Sequence, residues 1–262
     1  MERFVAGNGV TMVGAREGSV RFGFTERAGG VSRGPYASLN LGSHVGDDPA
    51  AVGENRARAC AALGAGDLAG RLLVPNQVHG DRAVTVAAAD VATEDGLAAV
   101  RADIASGCDA IVCTAPGTPV ALCFADCVPV VLTCAGGFAI AHSGWRGTLA
   151  GIAGKAATAL CAATGAAPGD VRAYIGPHIL GDEYEVSQEL VDRFTERFGR
   201  GVATGRMLDL SCCIRASLAG AGVPADAVCD PQLSTVRLNG RFYSYRAEGG
   251  TCGRHAAVGV LP

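Results

Sequence analysis

The sequence predicts an α/β fold, one domain over residues 1–262 organised around a mixed β-sheet. Three observations carry this. Apolar residues make up 49% of the 262 and charged residues 18%, so a sizeable core is available and the composition is not that of a disordered chain. Four short apolar runs follow one another between residues 110 and 141, and near-continuous apolar strands are those covered on both faces. Helical segments follow these runs without a clean βαβ, internal repeat or linker, which favours mixed strand directions.

The elements can be justified in order. Phe22-Gly23-Phe24-Thr25 reads as a short strand. Residues 26–36 are glycine-rich, fit neither period and read as a functional loop. Asp47-Asp48-Pro49 opens a helix with acidic caps and a first-turn proline; it should run to about Leu63 and stop at Gly64. Strands are expected at 110–113, 120–124, 128–133 and 138–141, with Ala135-Gly136-Gly137 turning the chain between the last two. An alanine-rich helix over 148–164 should end at Gly165, followed by a strand at 171–175. Ser187 caps a helix to about Phe198, a further helix is expected over 207–219, and residues 241–246 alternate like a strand.

Composition narrows the functional classes. Eleven cysteines cannot all pair within one chain, and Cys108, Cys113, Cys123, Cys134 and Cys161 sit in apolar runs, as expected of packed, reduced thiols. Residues 1–8 contain no apolar signal region, and the best apolar run, 120–133, is broken by Asp126 and Pro129; a cytoplasmic protein without a membrane span is expected. With a net charge of −3 and no basic block, nucleic acid is not the expected partner, and a small molecule is. Nothing in the sequence sets the oligomeric state.

The chemistry-bearing residues concentrate around three short segments. His79 lies in Asn76-Gln77-Val78-His79-Gly80, Cys127 follows Asp126 between two expected strands, and His142 ends a third strand. A hairpin would bring Cys127 and His142 together. Two imidazoles and a thiolate suit zinc or copper, and three protein ligands leave an open position for catalysis. His142 runs into Ser143-Gly144-Trp145-Arg146-Gly147, where flanking glycines allow close approach and Arg146 suits a phosphate or carboxylate. Asp126, in an apolar neighbourhood, is a candidate buried general acid or base, or equally the carboxylate that orients a ligand histidine.

Phe24-Thr25-Glu26-Arg27-Ala28-Gly29-Gly30-Val31-Ser32, Asn40-Leu41-Gly42, Glu54-Asn55-Arg56, Gln77-Val78-His79-Gly80, Ala125-Asp126-Cys127-Val128-Pro129, His142-Ser143-Gly144-Trp145-Arg146-Gly147, Ile175-Gly176-Pro177 and Tyr184-Glu185-Val186 occur in this order. Together they resemble the laccase-domain family, also called multicopper polyphenol oxidase-like, peptidoglycan editing factor or purine nucleoside phosphorylase-like proteins, from about residue 20 onward. The resemblance implies a single-domain layered α/β sandwich with zinc on His79, Cys127 and His142. It also implies phosphorolysis of adenosine, inosine and methylthioadenosine, together with adenosine deamination. Arg146, and with it Arg27 or Arg56, would contact phosphate; Asn40 and Gln77 would hydrogen-bond ribose or base; Asp126 would be the acid or base. Two positions depart from the family pattern: Glu183 stands where cysteine is common, and Cys252-Gly253-Arg254 replaces Thr-Gly-Arg. Both bear on substrate preference.

Three other functions use the same residues. Cys127 with His79 or His142 would make a cysteine hydrolase. A non-catalytic role in cell-wall maintenance is the sense of the editing-factor name. Copper-dependent oxidation of phenols is the third, but a multicopper centre needs roughly ten histidines and the chain has five.

Overall fold

A computed structural model describes residues 1–262. The chain opens with β1 (Glu2–Val5), β2 (Thr11–Glu17) and β3 (Val20–Thr25), then α1 (Pro49–Ala62), β4 (Ala83–Val86) and α2 (Glu94–Ala105). The central strands are β5 (Ala110–Cys113), β6 (Val120–Phe124), β7 (Val128–Cys134) and β8 (Gly137–Ser143). After them come α3 (Trp145–Ala150), α4 (Ile152–Thr164), β9 (Arg172–Ile175) and α5 (Gln188–Phe198). The remainder is β10 (Ala203–Thr204), β11 (Met207–Leu208), α6 (Leu210–Gly220), β12 (Val228–Cys229) and β13 (His255–Val260).

Two sheets stack face to face. One, ordered β1-β2-β3-β13-β6, is antiparallel throughout; the other, β12-β9-β7-β8-β5-β4, mixes parallel outer pairs with antiparallel inner ones. Strand alternation explains the continuous apolar runs. Val120, Leu122 and Phe124 meet Ile111, Val131 and Ile140 in the layer between the sheets. The intervening Ala121 and Cys123 turn outward to pack with Leu39, Leu41, Ala59 and Leu63, beside α1. On the opposite outer face, Val112, Val130 and Ala141 pack under α4 and α6. The result is the layered α/β sandwich with a mixed sheet that the sequence implied.

Three local expectations need correction, and one strand is added. The helix expected over 148–164 begins earlier, at Trp145, and is broken at Gly151, whose φ of +79° starts a second helix. Residues 207–208 are strand paired with β10; the helix starts only after Asp209, whose carboxylate caps Cys212 N. Residues 241–246 form turns rather than a strand, with consecutive Phe242 and Tyr243 both buried, which alternation does not allow. β13, unassigned from sequence, lies inside the antiparallel sheet between β3 and the edge strand β6.

Glu26, just past β3, is 2% exposed and its carboxylate accepts from both Arg3 and Arg241. Burial pushes its carboxyl up, but the two guanidiniums outweigh burial and hold it below its ordinary value. A lowered folded value means this stabilisation is present above the unfolded carboxylate range and is lost as pH falls through the folded value. Glu26→Gln should therefore destabilise the protein by about 2 kcal/mol at neutral pH, less than a fully buried pair because both arginines still reach water. The difference from wild type, read by urea unfolding, should shrink toward acid pH.

Candidate metal centre

The hairpin of β7 and β8 aligns Val128 with Ser143 and Pro129 with His142. Cys127, one residue before β7, therefore stands beside His142 at the hairpin's open end. His79 arrives on the turn before β4. The ligand atoms of His79, Cys127 and His142 all lie within 4.8 Å of one another, and the two imidazoles meet edge to face with centroids 4.8 Å apart. The three residues singled out from sequence are brought together.

Two backbone features hold this geometry. His79 and Asp126 have φ of +60° and +87°, a left-handed conformation that costs a non-glycine residue of order 1 kcal/mol or more and persists only where neighbours fix it. Gly144 closes the cluster from the other side: a Cβ there would lie 3.1 Å from both Cys127 Sγ and His79 Cδ2. A Cβ on Gly147 would lie 2.8 Å from the Gly80 carbonyl. The glycines around Trp145 and Arg146 thus serve close approach of α3 to the His79 turn.

Charge is organised to match. Burial pushes the Cys127 thiol up, but His142 and His79 outweigh it and bring the thiol down to about 6. Burial pushes His142 down, yet Cys127 and Asp109 reverse this and raise it. Behind His142, the buried Asp109 carboxylate lies 2.8 Å from Nδ1. A thiolate, two imidazoles and a supporting carboxylate form a donor set that fits a zinc ion, and also copper.

The triad opens into a cavity of about 690 Å³. Trp145, Tyr184 and Tyr245 supply aromatic walls, and Arg146, Arg246 and Arg254 supply cations. Arg146 is exposed, stacks 4.4 Å over Trp145 and makes no ion pair. Arg246 lies over Tyr184 and Arg254 over Tyr245, and neither guanidinium meets a carboxylate. Asp126 is the only carboxylate of the lining. It is half-buried rather than buried, and its oxygens accept from Thr235 Oγ1 at 2.6 Å and Arg246 N at 2.7 Å. Its side chain thereby ties the 235–246 segment to the metal strand.

Of the other residues suggested from sequence, only Gln77 reaches the cavity, and its amide is engaged at both ends by the Cys123 backbone. Asn40 is fully buried, joining Gly42, Asp47 and Arg254 N. Arg27 is held by Ala37, Asn239 and Glu248, and Arg56 by Leu41 and Ser43; neither lines the cavity. Asp109, Tyr245 and Arg246 were not singled out from sequence. Only Arg254 among the added cations lay in a noted motif, Cys252-Gly253-Arg254.

A three-donor cluster that could hold a metal, beneath a cationic, aromatic cavity, is an arrangement suited to a small molecule. The chain belongs to the multi-copper polyphenol oxidoreductase laccase family, whose model matches residues 21–262. It is 40% identical to a purine nucleoside phosphorylase of Deinococcus radiodurans, over 97% of this chain and 94% of that one. It is 36% identical to a purine nucleoside phosphorylase of Corynebacterium glutamicum, over 94% and 96%. Among solved structures it resembles YfiH of Bacillus licheniformis, with a TM-score of 0.85, 31% identity and coverage of 97% and 96%. It also resembles YlmD of Geobacillus stearothermophilus, with a TM-score of 0.79, 33% identity and coverage of 93% and 92%. These likenesses support a nucleoside-processing enzyme. No helix is long and apolar enough to cross a membrane.

Proposed function

We propose that the protein is a zinc-dependent purine nucleoside phosphorylase acting on adenosine, inosine and methylthioadenosine, and that it also deaminates adenosine. The observation that carries this reading is the juxtaposition of the His79–Cys127–His142 triad with three arginines free of carboxylates in one aromatic-walled cavity. In phosphorolysis a phosphate oxygen bonds to ribose C1′ while the C1′–N9 bond breaks. Its electron pair goes to the purine, which takes up a proton. Arg146, Arg246 and Arg254 bind and orient the phosphate, since a guanidinium fork matches phosphate oxygens. Trp145, Tyr184 and Tyr245 offer apolar faces for the flat purine and keep water from the reacting bond. When bound on the triad, zinc would supply a Lewis acid to the same cavity. In deamination, water adds at purine C6 and gives up a proton, and the amino group takes one up and leaves as ammonia; Asp126, the cavity's carboxylate, is the group to carry the proton from the water to the amine.

Arg146→Ala should raise the KM for phosphate about tenfold, equivalent to about 1.4 kcal/mol, with zinc content unchanged. An unchanged phosphate KM in steady-state assays would remove Arg146 from the phosphate site.

One observation favours a second reading. Cys127, His142 and Asp109 also stand in the order nucleophile, base and orienter of a cysteine hydrolase. Zinc at one equivalent per chain, protecting Cys127 from iodoacetamide, argues for the metal; rapid alkylation of the zinc-saturated protein argues for the nucleophile.

A further inference from the structure

We infer that Asp109 is the positioning residue of the metal centre, a single carboxylate that sets both histidine ligands. It sits at the entrance to β5, with 0% exposure, behind the cavity lining rather than in it. Its Oδ1 lies 2.8 Å from His142 Nδ1 and accepts from His79 N at 3.0 Å. Its Oδ2 accepts from Gly80 N at 2.7 Å and Val78 N at 3.2 Å. Its backbone completes the clasp: the Asp109 carbonyl accepts from His142 N at 2.7 Å, and Asp109 N donates to the Arg82 carbonyl.

Two consequences follow from donor and acceptor chemistry alone. A carboxylate offers acceptors only, so the proton of His142 must lie on Nδ1, and Nε2 is left with its lone pair for a metal. The three successive N–H groups of residues 78–80 converge on one carboxylate and have no other partner within the protein. That convergence holds the turn on which His79 adopts its left-handed backbone. The sequence offered Asp126 for the orienting role because it adjoins Cys127. The structure gives Asp126 to Thr235 and Arg246, and places Asp109 behind the histidine.

The inference rests on the triad holding a metal, and the experiment separates the two claims. Asp109→Asn keeps the shape but cannot accept at all four contacts: either its amide N–H₂ faces the turn's donors, or it faces His142 and demands the other tautomer. Zinc affinity, measured by competition with a chromogenic chelator, should fall about ten- to a hundredfold. The cobalt(II)-substituted protein should show a weakened thiolate-to-metal absorption band. Asp103→Asn serves as the control: it removes the nearby surface pair with Arg82 and should leave zinc affinity and the cobalt spectrum at wild-type values. Equal zinc affinity and an unaltered cobalt spectrum in the Asp109→Asn protein would overturn the role of Asp109. A wild-type protein that takes up no zinc would instead overturn the metal reading on which it rests. Should the asparagine variant not fold, nitrogen-15 NMR of wild-type zinc-loaded protein decides: protonated Nδ1 in His142 is expected, and protonated Nε2 overturns the inference.

Discussion

Cys127→Ala is expected to abolish stoichiometric zinc binding and to slow phosphate-dependent purine release by at least about a thousandfold, about 4 kcal/mol of transition-state stabilisation. The reason is local. Cys127 is the only thiol donor of the triad, and with Asp109 it raises the neighbouring His142 against the effect of burial. Without it, two imidazoles alone face the cavity, and two neutral donors hold a divalent ion far less well than three with a thiolate. The fold should survive, because Cys127 is half-buried in a loop and a methyl group fills part of its space. Metal analysis, far-ultraviolet circular dichroism and a purine-release assay on the same preparation check all three statements. Retained zinc with lost activity would point to the thiol as nucleophile.

Gly144→Val is expected to weaken zinc binding by more than about tenfold while leaving the remainder of the sandwich folded. The Cβ alone would stand 3.1 Å from Cys127 Sγ and from His79 Cδ2, tight enough that both ligands must give way. Valine adds two methyl groups to a Cβ that is already too close, and overpacking of this kind costs about 1–3 kcal/mol. Gly144→Ala should show the same effect in reduced degree, so the pair forms a graded series. Calorimetric zinc titration of both variants tests it; wild-type affinity in the valine variant would show that α3 does not close the metal centre.

Much of this arrangement was legible in residue types and local pattern. The runs that became β5 to β8 are almost continuously apolar because each strand is covered by a sheet on one face and by helices or loops on the other. His79, Cys127 and His142 stand out because few residue types bind soft metals, and two of them end adjoining strands. What escaped sequence reading was long-range. Asp109 is 30 residues from His79 and 33 from His142, and it precedes β5 without any motif of its own. Asp126 adjoins Cys127, but a φ of +87° and bonds to Thr235 and Arg246 commit its side chain to the following segment. That segment brings Tyr245 and Arg246 to the cavity by turns alone, so no period marks it. Arg27, Asn40 and Arg56 belong to recognisable motifs, yet Arg27 and Asn40 are engaged throughout in holding loops together, and Arg56 donates to the Leu41–Ser43 loop through Nε and Nη2.

The physical logic of the site is a division of labour between its two sides. The sheets and Asp109 hold the candidate donor set, while α3, Tyr184 and the irregular C-terminal segment bring cations and aromatic faces to the cavity. Incubation of the zinc-loaded protein with adenosine, with and without inorganic phosphate, followed by separation of the products, tests the central claim most directly. The account predicts adenine and ribose-1-phosphate only when phosphate is present, with inosine from deamination under either condition. An absence of all these products at stoichiometric zinc would contradict it.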